Sequence, residues 1–457
     1  MKQRVAAYRQ ALQHTPLVRA AGVVRQVSGL SIEATGLAVG IGEQCTIRLP
    51  AAAAGVGGSA VVQAEVVGVN PQGFVLMPYG PTRGLATGCE VTASGSRAFI
   101  GVGDALLGRV IDAFGEPLDG LPKPETQLQR EVLASPPKAL QRKRIVEVLE
   151  TGVRAIDALL TLGKGQRTGI FAGSGVGKST LLGMIAKHVK ADVNVIALIG
   201  ERGREVREFV ENHLGPQGLE RSVVVVATSD QPALARVRAA YAAVAIAEHF
   251  REQGRQVLLT MDSVTRFAMA RREIGLAAGE PPTARGYTPS VFAELPQLCE
   301  RCGTDHGTGS ITALMTVLVE GDDFNEPVSD HLRATLDGHV VLSRQLAHAG
   351  HYPAIDVLQS ASRVMPDVVS AQEQSLALQA VGTLALLERN RQLVDIGAYE
   401  AGSNSQLDQA LAVKPALAQW LQQREGGAAR AQAVRQLQAI VEKACAAAPL
   451  AGQGAKA

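Results

Sequence analysis

The chain has 457 residues, 46% of them hydrophobic and 19% charged, which excludes a disordered chain and allows about three domains. Its 45 lysines and arginines nearly balance its 43 aspartates and glutamates, so the net charge is only +2. A charge this small gives no electrostatic support for nucleic acid as the main ligand.

The sequence also bears on the compartment in which the chain works. It has no run of about 18 apolar residues, and its first residues lack the apolar region of a signal peptide. We therefore expect a cytosolic protein. Five cysteines are scattered along the chain, and the close pair Cys299 and Cys302 could be redox-active or metal-binding. We favour the simpler interpretation, that both lie on one face of a helix in a reducing compartment.

The first 98 residues predict a small β domain behind a short segment. Residues 1–21 mix arginines with apolar side chains and are expected to be helical or mobile. Over 22–98, short β-type runs alternate with glycine, proline and asparagine turns, which is typical of a small barrel. A barrel that binds single-stranded nucleic acid needs aromatic platforms, and this region offers only Phe74 and Tyr79. We interpret the barrel as structural.

The middle of the chain predicts an α/β domain. After an irregular lead-in over 99–165, continuous apolar runs alternate with helical patterns, including an alanine-rich helix over about 232–252. Such strands indicate a parallel sheet that is buried on both faces. The apolar runs cover 193–199, 223–226, 257–261 and 311–319.

Beyond about residue 368 the strand pattern stops. Apolar residues recur at helical spacing over 376–387, 407–421 and 434–441, which predicts a helical domain over 368–457. Its last ten residues are expected to form a loose tail.

The most informative stretch covers residues 172–180 and reads AGSGVGKST. It follows a short apolar run and opens a helical pattern, which is the context that a phosphate-binding loop requires. Backbone N–H groups and the helix N-terminus would surround phosphate, Lys178 would reach the β- and γ-phosphates, and Ser179 would bind Mg²⁺. Ala172 replaces the first glycine of the strict pattern, a change that should be tolerated. The expected nucleotide contacts are Gly173, Ser174, Gly175, Val176, Gly177, Lys178, Ser179 and Thr180.

Three further residues are candidates for phosphoryl transfer. Asp262 ends an apolar run and would orient Mg²⁺ through water. Glu201 follows another run and could orient the attacking water; the alternative is a charge at a helix N-terminus, since further glutamates follow it. Arg363 could be an arginine finger for a neighbouring subunit, although from the residues alone a structural salt bridge is the stronger interpretation.

Longer motifs carry a resemblance to a known family. They are ALIGERGREVREF (197–209), MDSVTRF (261–267), GEPPT (279–283), EGDD (320–323) and HYPAIDV (351–357). With them the chain resembles, from about residue 22 to 422, the ATPases of type III secretion systems and of the flagellar export apparatus, which are relatives of the catalytic subunit of rotary ATP synthases.

The resemblance implies a fold and roles for single residues. The fold is α/β, a RecA-like P-loop ATPase core over 99–367 with an N-terminal small β-barrel and a C-terminal helical domain. Glu201 matches the family's catalytic carboxylate, and Arg202 and Arg266 match arginines near the γ-phosphate. Arg363 matches the arginine finger donated across a subunit interface, and Tyr352 matches the aromatic residue that packs on adenine.

One loop in the resemblance concerns the centre of a ring. Residues 279–292 resemble a loop near the ring's central opening, where we expect Arg285 or Tyr287 to face the opening. Thr288 replaces one of two prolines that the family usually has there, which could alter the stiffness of the loop.

The function implied is hydrolysis of ATP with Mg²⁺ by a homohexamer that energises protein export through a type III secretion apparatus. The ring would release and unfold chaperone-bound substrates at the cytoplasmic face of the inner membrane. The implied partners are a stator-like regulator at the N-terminal region, a central stalk protein, chaperone–substrate complexes at the C-terminal domain and the export gate. No nucleic acid is expected.

Several alternatives stay open. Residues 357–363 resemble the virulence-associated injectisome branch more than the flagellar branch, which is the alternative. A rotary proton ATP synthase subunit would carry an acidic signature that the region 368–447 lacks. A hexameric RNA translocase would need an RNA-binding barrel. A nucleotide-binding scaffold without hydrolysis is disfavoured because Lys178, Glu201 and Asp262 are all present.

Overall fold

The computed structural model describes residues 20–50, 61–95, 97–319, 321 and 323–446, with side chains up to residue 443. The predicted N-terminal segment up to residue 19, the motif residues Glu320 and Asp322, and the predicted tail lie outside this set.

A closed β-barrel forms the first part of the described chain. The short strands alternate buried and exposed residues, so that Val24, Ile32, Ile47 and Val66 meet in a core inside the barrel. The strands are β1 (Gly22–Ser28), β2 (Ser31–Thr35), β3 (Gln44–Arg48), β4 (Val61–Asn70), β5 (Gly73–Pro78) and β6 (Glu90–Ala93). Within the described residues the order around the barrel is β1-β2-β5-β4-β3-β6, and β6 closes on β1.

The second part is built on a large sheet. Its lead-in contains β7 (Phe99–Val102), β8 (Arg109–Ile111), β9 (Leu128–Glu131) and β10 (Val148–Leu149). The later strands are β11 (Leu162–Gly163), β12 (Arg167–Ala172), β13 (Val193–Ile199), β14 (Ser222–Ala227), β15 (Gln256–Asp262), β16 (Gly303–Thr304), β17 (Ser310–Leu318), β18 (Gly338–Leu342) and β19 (Ile355–Ser362). Over the described ranges the main order is β19-β18-β12-β17-β15-β13-β14-β8, with β16 paired to β17. From β18 to β8 neighbouring strands are parallel, whereas β19 runs antiparallel to β18.

Helices cover both faces of this sheet, and each face has its own apolar core. The alanine-rich stretch forms the longest helix in the described part of the chain, and its small side chains let it pack closely on the central strands β13 and β15. The helices of this part are α1 (Arg154–Leu159), α2 (Lys178–His188), α3 (Gly203–Glu208), α4 (Gly215–Glu220), α5 (Ala233–Glu252), α6 (Val264–Ala277), α7 (Pro289–Glu300), α8 (Pro327–Thr335), α9 (Arg344–His348) and α10 (Met365–Val368). A π-helical stretch, Phe209–Leu214, joins α3 to α4.

The last part is helical, as predicted. It contains α11 (Ala371–Arg389), α12 (Arg391–Asp395), α13 (Ser405–Leu421) and α14 (Arg430–Ala446). The hydroxyl of Ser370 and the carboxylate of Glu373 form a reciprocal capping box at the start of α11. Helix α14 packs on α13, α11 and α1, which joins the helical part to the start of the α/β part.

Barrel, α/β core and helical end together confirm the predicted fold class. Among the residues that the structure describes, no helix combines the length and the apolar character needed to cross a membrane.

Candidate active site

The phosphate-loop sequence lies at the carboxyl edge of the large sheet. It follows β12, and α2 begins at Lys178, with Ser179 and Thr180 in its first turn. Gly175 and Gly177 have φ values of 77° and 90°, a left-handed conformation that favours glycine. Ala172 is buried, so the fold accommodates its methyl group. Its carbonyl accepts a hydrogen bond from Val319 N at 3.0 Å.

Two carboxylates converge on Lys178. Asp262 ends β15 and Glu201 follows β13; because these parallel strands are neighbours, their carboxyl ends meet. The ammonium of Lys178 hydrogen-bonds to Asp262 and lies 3.6 Å from Glu201 Oε1. Burial alone would lower the pKa of Lys178, but the negative charges of Asp262 and Glu201 outweigh it and raise that pKa.

Asp262 has a second partner that the sequence analysis missed. The hydroxyl of Thr316, which is buried in β17, donates to Asp262 Oδ1 at 2.7 Å. The available signal was a hydroxyl residue inside the apolar run 311–319, opposite the end of the neighbouring strand.

The carboxyl group of Glu201 has a pKa near neutral pH. Burial raises its pKa to about 7, and the charge of Lys178 only partly offsets the effect. Glu201 Oε1 is buried and has no hydrogen-bond partner in the described part of the chain, and the same holds for Arg266 Nε. Arg266 lies against Gly200, where a Cβ atom would approach the Cβ of Arg266 to 2.9 Å.

These unsatisfied atoms bear on what the site can hold. Buried polar groups in proteins are nearly always hydrogen-bonded, so an oxygen whose nearby cation is beyond hydrogen-bond distance and a guanidinium nitrogen without a hydrogen bond suit a polar ligand. A glycine-rich loop, a lysine and a carboxylate at a strand end are the donor set for a nucleotide triphosphate with its Mg²⁺. The residues present therefore fit this substrate.

The remaining predicted residues are more dispersed. Arg202 is exposed, precedes α3 and forms an ion pair with Glu205 at 3.4 Å, so it is not brought to Lys178. Tyr352 lies beside the phosphate loop, since a Cβ atom on Gly177 would be 3.4 Å from its ring. Tyr352 as a whole residue is 43% exposed.

Arg363 lies at the opposite edge of the sheet from the phosphate loop. Next to the phosphate loop, Ala172 of β12 pairs with Leu342 of β18, which pairs with Ile355 at the start of β19. At the other end of these strands, Thr168 pairs with Gly338, which pairs with Ser362 at the end of β19. The antiparallel strand β19 thus carries the chain away from the phosphate loop before Arg363. Arg363 is exposed, donates to the carbonyl of Arg333 at 3.3 Å and forms no ion pair with any described residue, so the salt-bridge alternative is not observed.

The loop 279–292 corrects one expectation. Tyr287 is 3% exposed and packs edge-on against Phe292, so it cannot face a ring opening. Arg285 is exposed and pairs with Asp323 at 2.7 Å. Thr288 is buried at the start of α7 against Gly275.

The two neighbouring cysteines are structural. Cys299 lies in α7 and Cys302 two residues beyond its end, and both are fully buried free thiols. Burial raises the pKa of both thiols, that of Cys302 to about 12, which disfavours the reactive thiolate form.

Comparison with known families agrees with each part of the chain. The beta-barrel domain of the ATP synthase alpha/beta family matches residues 24–95, and the nucleotide-binding domain of that family matches residues 152–362. The T3SS EscN ATPase C-terminal domain matches residues 369–439.

Individual relatives match over most of their length. The flagellum-specific ATP synthase of Bacillus subtilis is 55% identical, over 88% of this chain and 90% of that protein. The type 3 secretion system ATPase of Xanthomonas euvesicatoria is 49% identical, over 85% and 87%. The assembled ATPase EscN of the enteropathogenic E. coli type III secretion system is 43% identical and covers 92% of this chain, 100% of its own, with a TM-score of 0.86. EscN in complex with its central stalk EscO has a TM-score of 0.83 at 42% identity, over 92% and 100%.

Proposed function

Because the chain belongs to the family of flagellum-specific ATP synthases and type 3 secretion system ATPases, and is an ATPase, we propose that it hydrolyses Mg²⁺-bound ATP to energise protein export through a type III secretion apparatus. The observation that carries the proposal is the meeting of Lys178, Asp262 and Glu201 beside the glycine loop.

The chemistry assigned to these residues follows from their positions. Lys178 would exchange Asp262 for the β- and γ-phosphates, while the Ser179 hydroxyl and, through water, Asp262 hold Mg²⁺. Glu201 would accept a hydrogen bond from the attacking water. Arg266, and Arg202 after a change of side-chain conformation, would stabilise charge on the γ-phosphate. Tyr352 would stack on adenine.

The place of Arg363 supports the proposal of a ring. Since it lies at the sheet edge opposite its own phosphate loop, we assign it as the finger for the next subunit's nucleotide. Contacts of this head-to-tail kind form a ring when the rotation between subunits closes. A homohexamer is the assembly we propose, which agrees with the assembled state of EscN.

We also propose a cellular setting for the ring. The complex of EscN with EscO supports a central stalk partner. The further partners are a stator-like regulator near the N-terminus, chaperone–substrate complexes at the C-terminal helices, and the export gate at the cytoplasmic face of the inner membrane.

The proposed domain limits are 22–98, 99–367 and 368–457. Identities of 55% and 49% support the family as a whole. Within it we propose the injectisome branch, with flagellar export as the alternative.

The test is ATPase activity per subunit as a function of protein concentration, with mass measured by light scattering. Activity that rises as a hexamer appears would support the shared site. Constant activity in a monomer would leave the phosphate loop in place but reject the finger and the ring. Stimulation by RNA with a steep salt dependence would instead favour the translocase alternative.

A further inference from the structure

Gln423 joins the C-terminal helices to the candidate nucleotide site. It lies just after α13 and is 8% exposed, whereas its neighbour Gln422 is exposed. Its side chain makes two hydrogen bonds to the start of the α/β part. Oε1 accepts from Arg154 N at 2.9 Å, and Nε2 donates to the carbonyl of Gly152 at 2.8 Å.

The first of these bonds satisfies a group that would otherwise be orphaned, whereas the carbonyl of Gly152 also accepts from Gly427 N at 3.1 Å and from Ala428 N at 3.3 Å. Arg154 N is one of the first N–H groups of α1, which lack partners within the helix, and the preceding Val153 has no polar side chain to cap it. The segment after Gln423 is confined as well. A Cβ atom on Gly426 would approach the imidazole of His188, at the end of α2, to 2.4 Å. Gln423 is therefore held in one position from several sides.

From this position the backbone of Gln423 reaches Tyr352. Gln423 N donates to the carbonyl of Tyr352 at 2.8 Å. Tyr352 is half-exposed as a residue, and its ring lies against Gly177 of the phosphate loop. We propose that Gln423 is a positioning residue that fixes the base platform Tyr352 for the adenine of ATP. This inference rests on the proposed function, because it assigns the base to Tyr352.

The proposal predicts different effects on the binding of the nucleotide's base and on the binding of its phosphates. Gln423 acts through Tyr352, so its loss should weaken ligands that carry adenine and leave the phosphate subsite unchanged. A merely structural role would weaken both kinds of ligand. Calorimetric titration of the full chain with Mg²⁺ plus ADP, and with Mg²⁺ plus pyrophosphate, measures the two separately.

Gln423→Ala should raise the Kd of ADP about tenfold, the effect of losing hydrogen bonds to buried partners, and change the Kd of pyrophosphate less than twofold. Tyr352→Ala should weaken ADP binding in the same way, and the double variant should be no weaker than Tyr352→Ala alone. Gln422→Ala is the matched control and should bind both ligands as the unaltered protein does. Gln423→Glu keeps the acceptor for Arg154 N but sets a buried carboxylate against the carbonyl of Gly152, so it should weaken ADP binding as well.

Thermal unfolding without ligand shows that each variant is folded, and Trp420, the chain's one tryptophan, reports on the adjacent helix by fluorescence. Equal weakening of ADP and pyrophosphate, or unchanged ADP affinity in Gln423→Ala and Gln423→Glu, would overturn the proposal. Failure of the unaltered protein to bind either ligand would instead reject the proposed function.

Discussion

At the scale of single residues, the candidate site depends on one carboxyl group whose protonation changes near neutral pH. Burial raises the pKa of Glu201 to about 7. Below that pH the carboxyl carries a proton and accepts hydrogen bonds poorly, so water orientation is lost as pH falls. Since kcat/KM reports groups of the free enzyme, it should fall about tenfold per pH unit below pH 7. A profile that stays flat down to about pH 5 would contradict this assignment.

Substitution separates binding from turnover in the same group of residues. Glu201→Gln keeps the shape and removes the charge, so we expect ATP binding to survive and turnover to be abolished. Lys178→Ala removes the phosphate contact and should weaken nucleotide binding as well. Binding by calorimetry and hydrolysis by phosphate release distinguish the two outcomes. A Glu201→Gln variant that hydrolyses ATP at the normal rate would remove Glu201 from its role.

Thr316 is expected to position Asp262 for Mg²⁺. Thr316→Val keeps the volume and removes the hydrogen bond at 2.7 Å, so the Mg²⁺ concentration for half-maximal activity should rise about tenfold, the effect of one bond to a charged group. The matched control is Thr168→Val in the neighbouring strand, because the hydroxyl of Thr168 is buried without a partner among the described residues. The control should leave the Mg²⁺ dependence unchanged. An equal shift in both variants would point to general disturbance of the sheet.

At the scale of elements, two helical glycines should respond oppositely to alanine. Gly382 lies exposed within α11, and a Cβ atom there meets nothing within 4 Å. Gly382→Ala should raise the free energy of unfolding by about 0.5–1 kcal/mol through helix propensity. In α2 a Cβ atom on Gly183 would lie 2.7 Å from the Cβ of His213, so Gly183→Ala should lower the midpoint of urea unfolding. Midpoints that move in the same direction for both variants would contradict the packing argument.

The elements also show what the sequence could and could not predict. Buried parallel strands are nearly continuous apolar runs, so β13, β14, β15 and β17 were predicted, and the phosphate loop with them. The edge strand β19 was missed, because its burial pattern is irregular.

Contacts between distant parts of the chain explain the other omissions. Thr316 and Gln423 act through partners that are far away in sequence, and no local spacing encodes such a pairing. The family resemblance predicted a role for Tyr352, and the structure places its ring beside Gly177. It also suggested Arg285 or Tyr287 for the ring opening, and because Tyr287 belongs to the apolar core, only the exposed Arg285 stays a candidate of these two. A sequence motif specifies which residues are present, but packing decides which of them are exposed.

At the scale of the whole molecule, the proposed ring implies that one active site takes parts from two chains. Glu201 lies at the carboxyl edge of the sheet, whereas Arg363 lies at the other edge. Each interface would therefore combine Lys178 and Glu201 of one subunit with Arg363 of the next. Two inactive variants with lesions on opposite sides of the interface should complement each other, because some interfaces then contain only intact parts.

Mixing Glu201→Gln with Arg363→Ala in equal amounts, under conditions where subunits exchange, should restore activity at about one quarter of the interfaces if assembly is random. Light scattering confirms that rings are present, and phosphate release measures turnover. The matched control mixes Glu201→Gln with Lys178→Ala. Both lesions then lie on the same side, so every interface keeps a defect and no activity should return. Mixed rings of the first pair that remain inactive would show that Arg363 does not serve a neighbouring site.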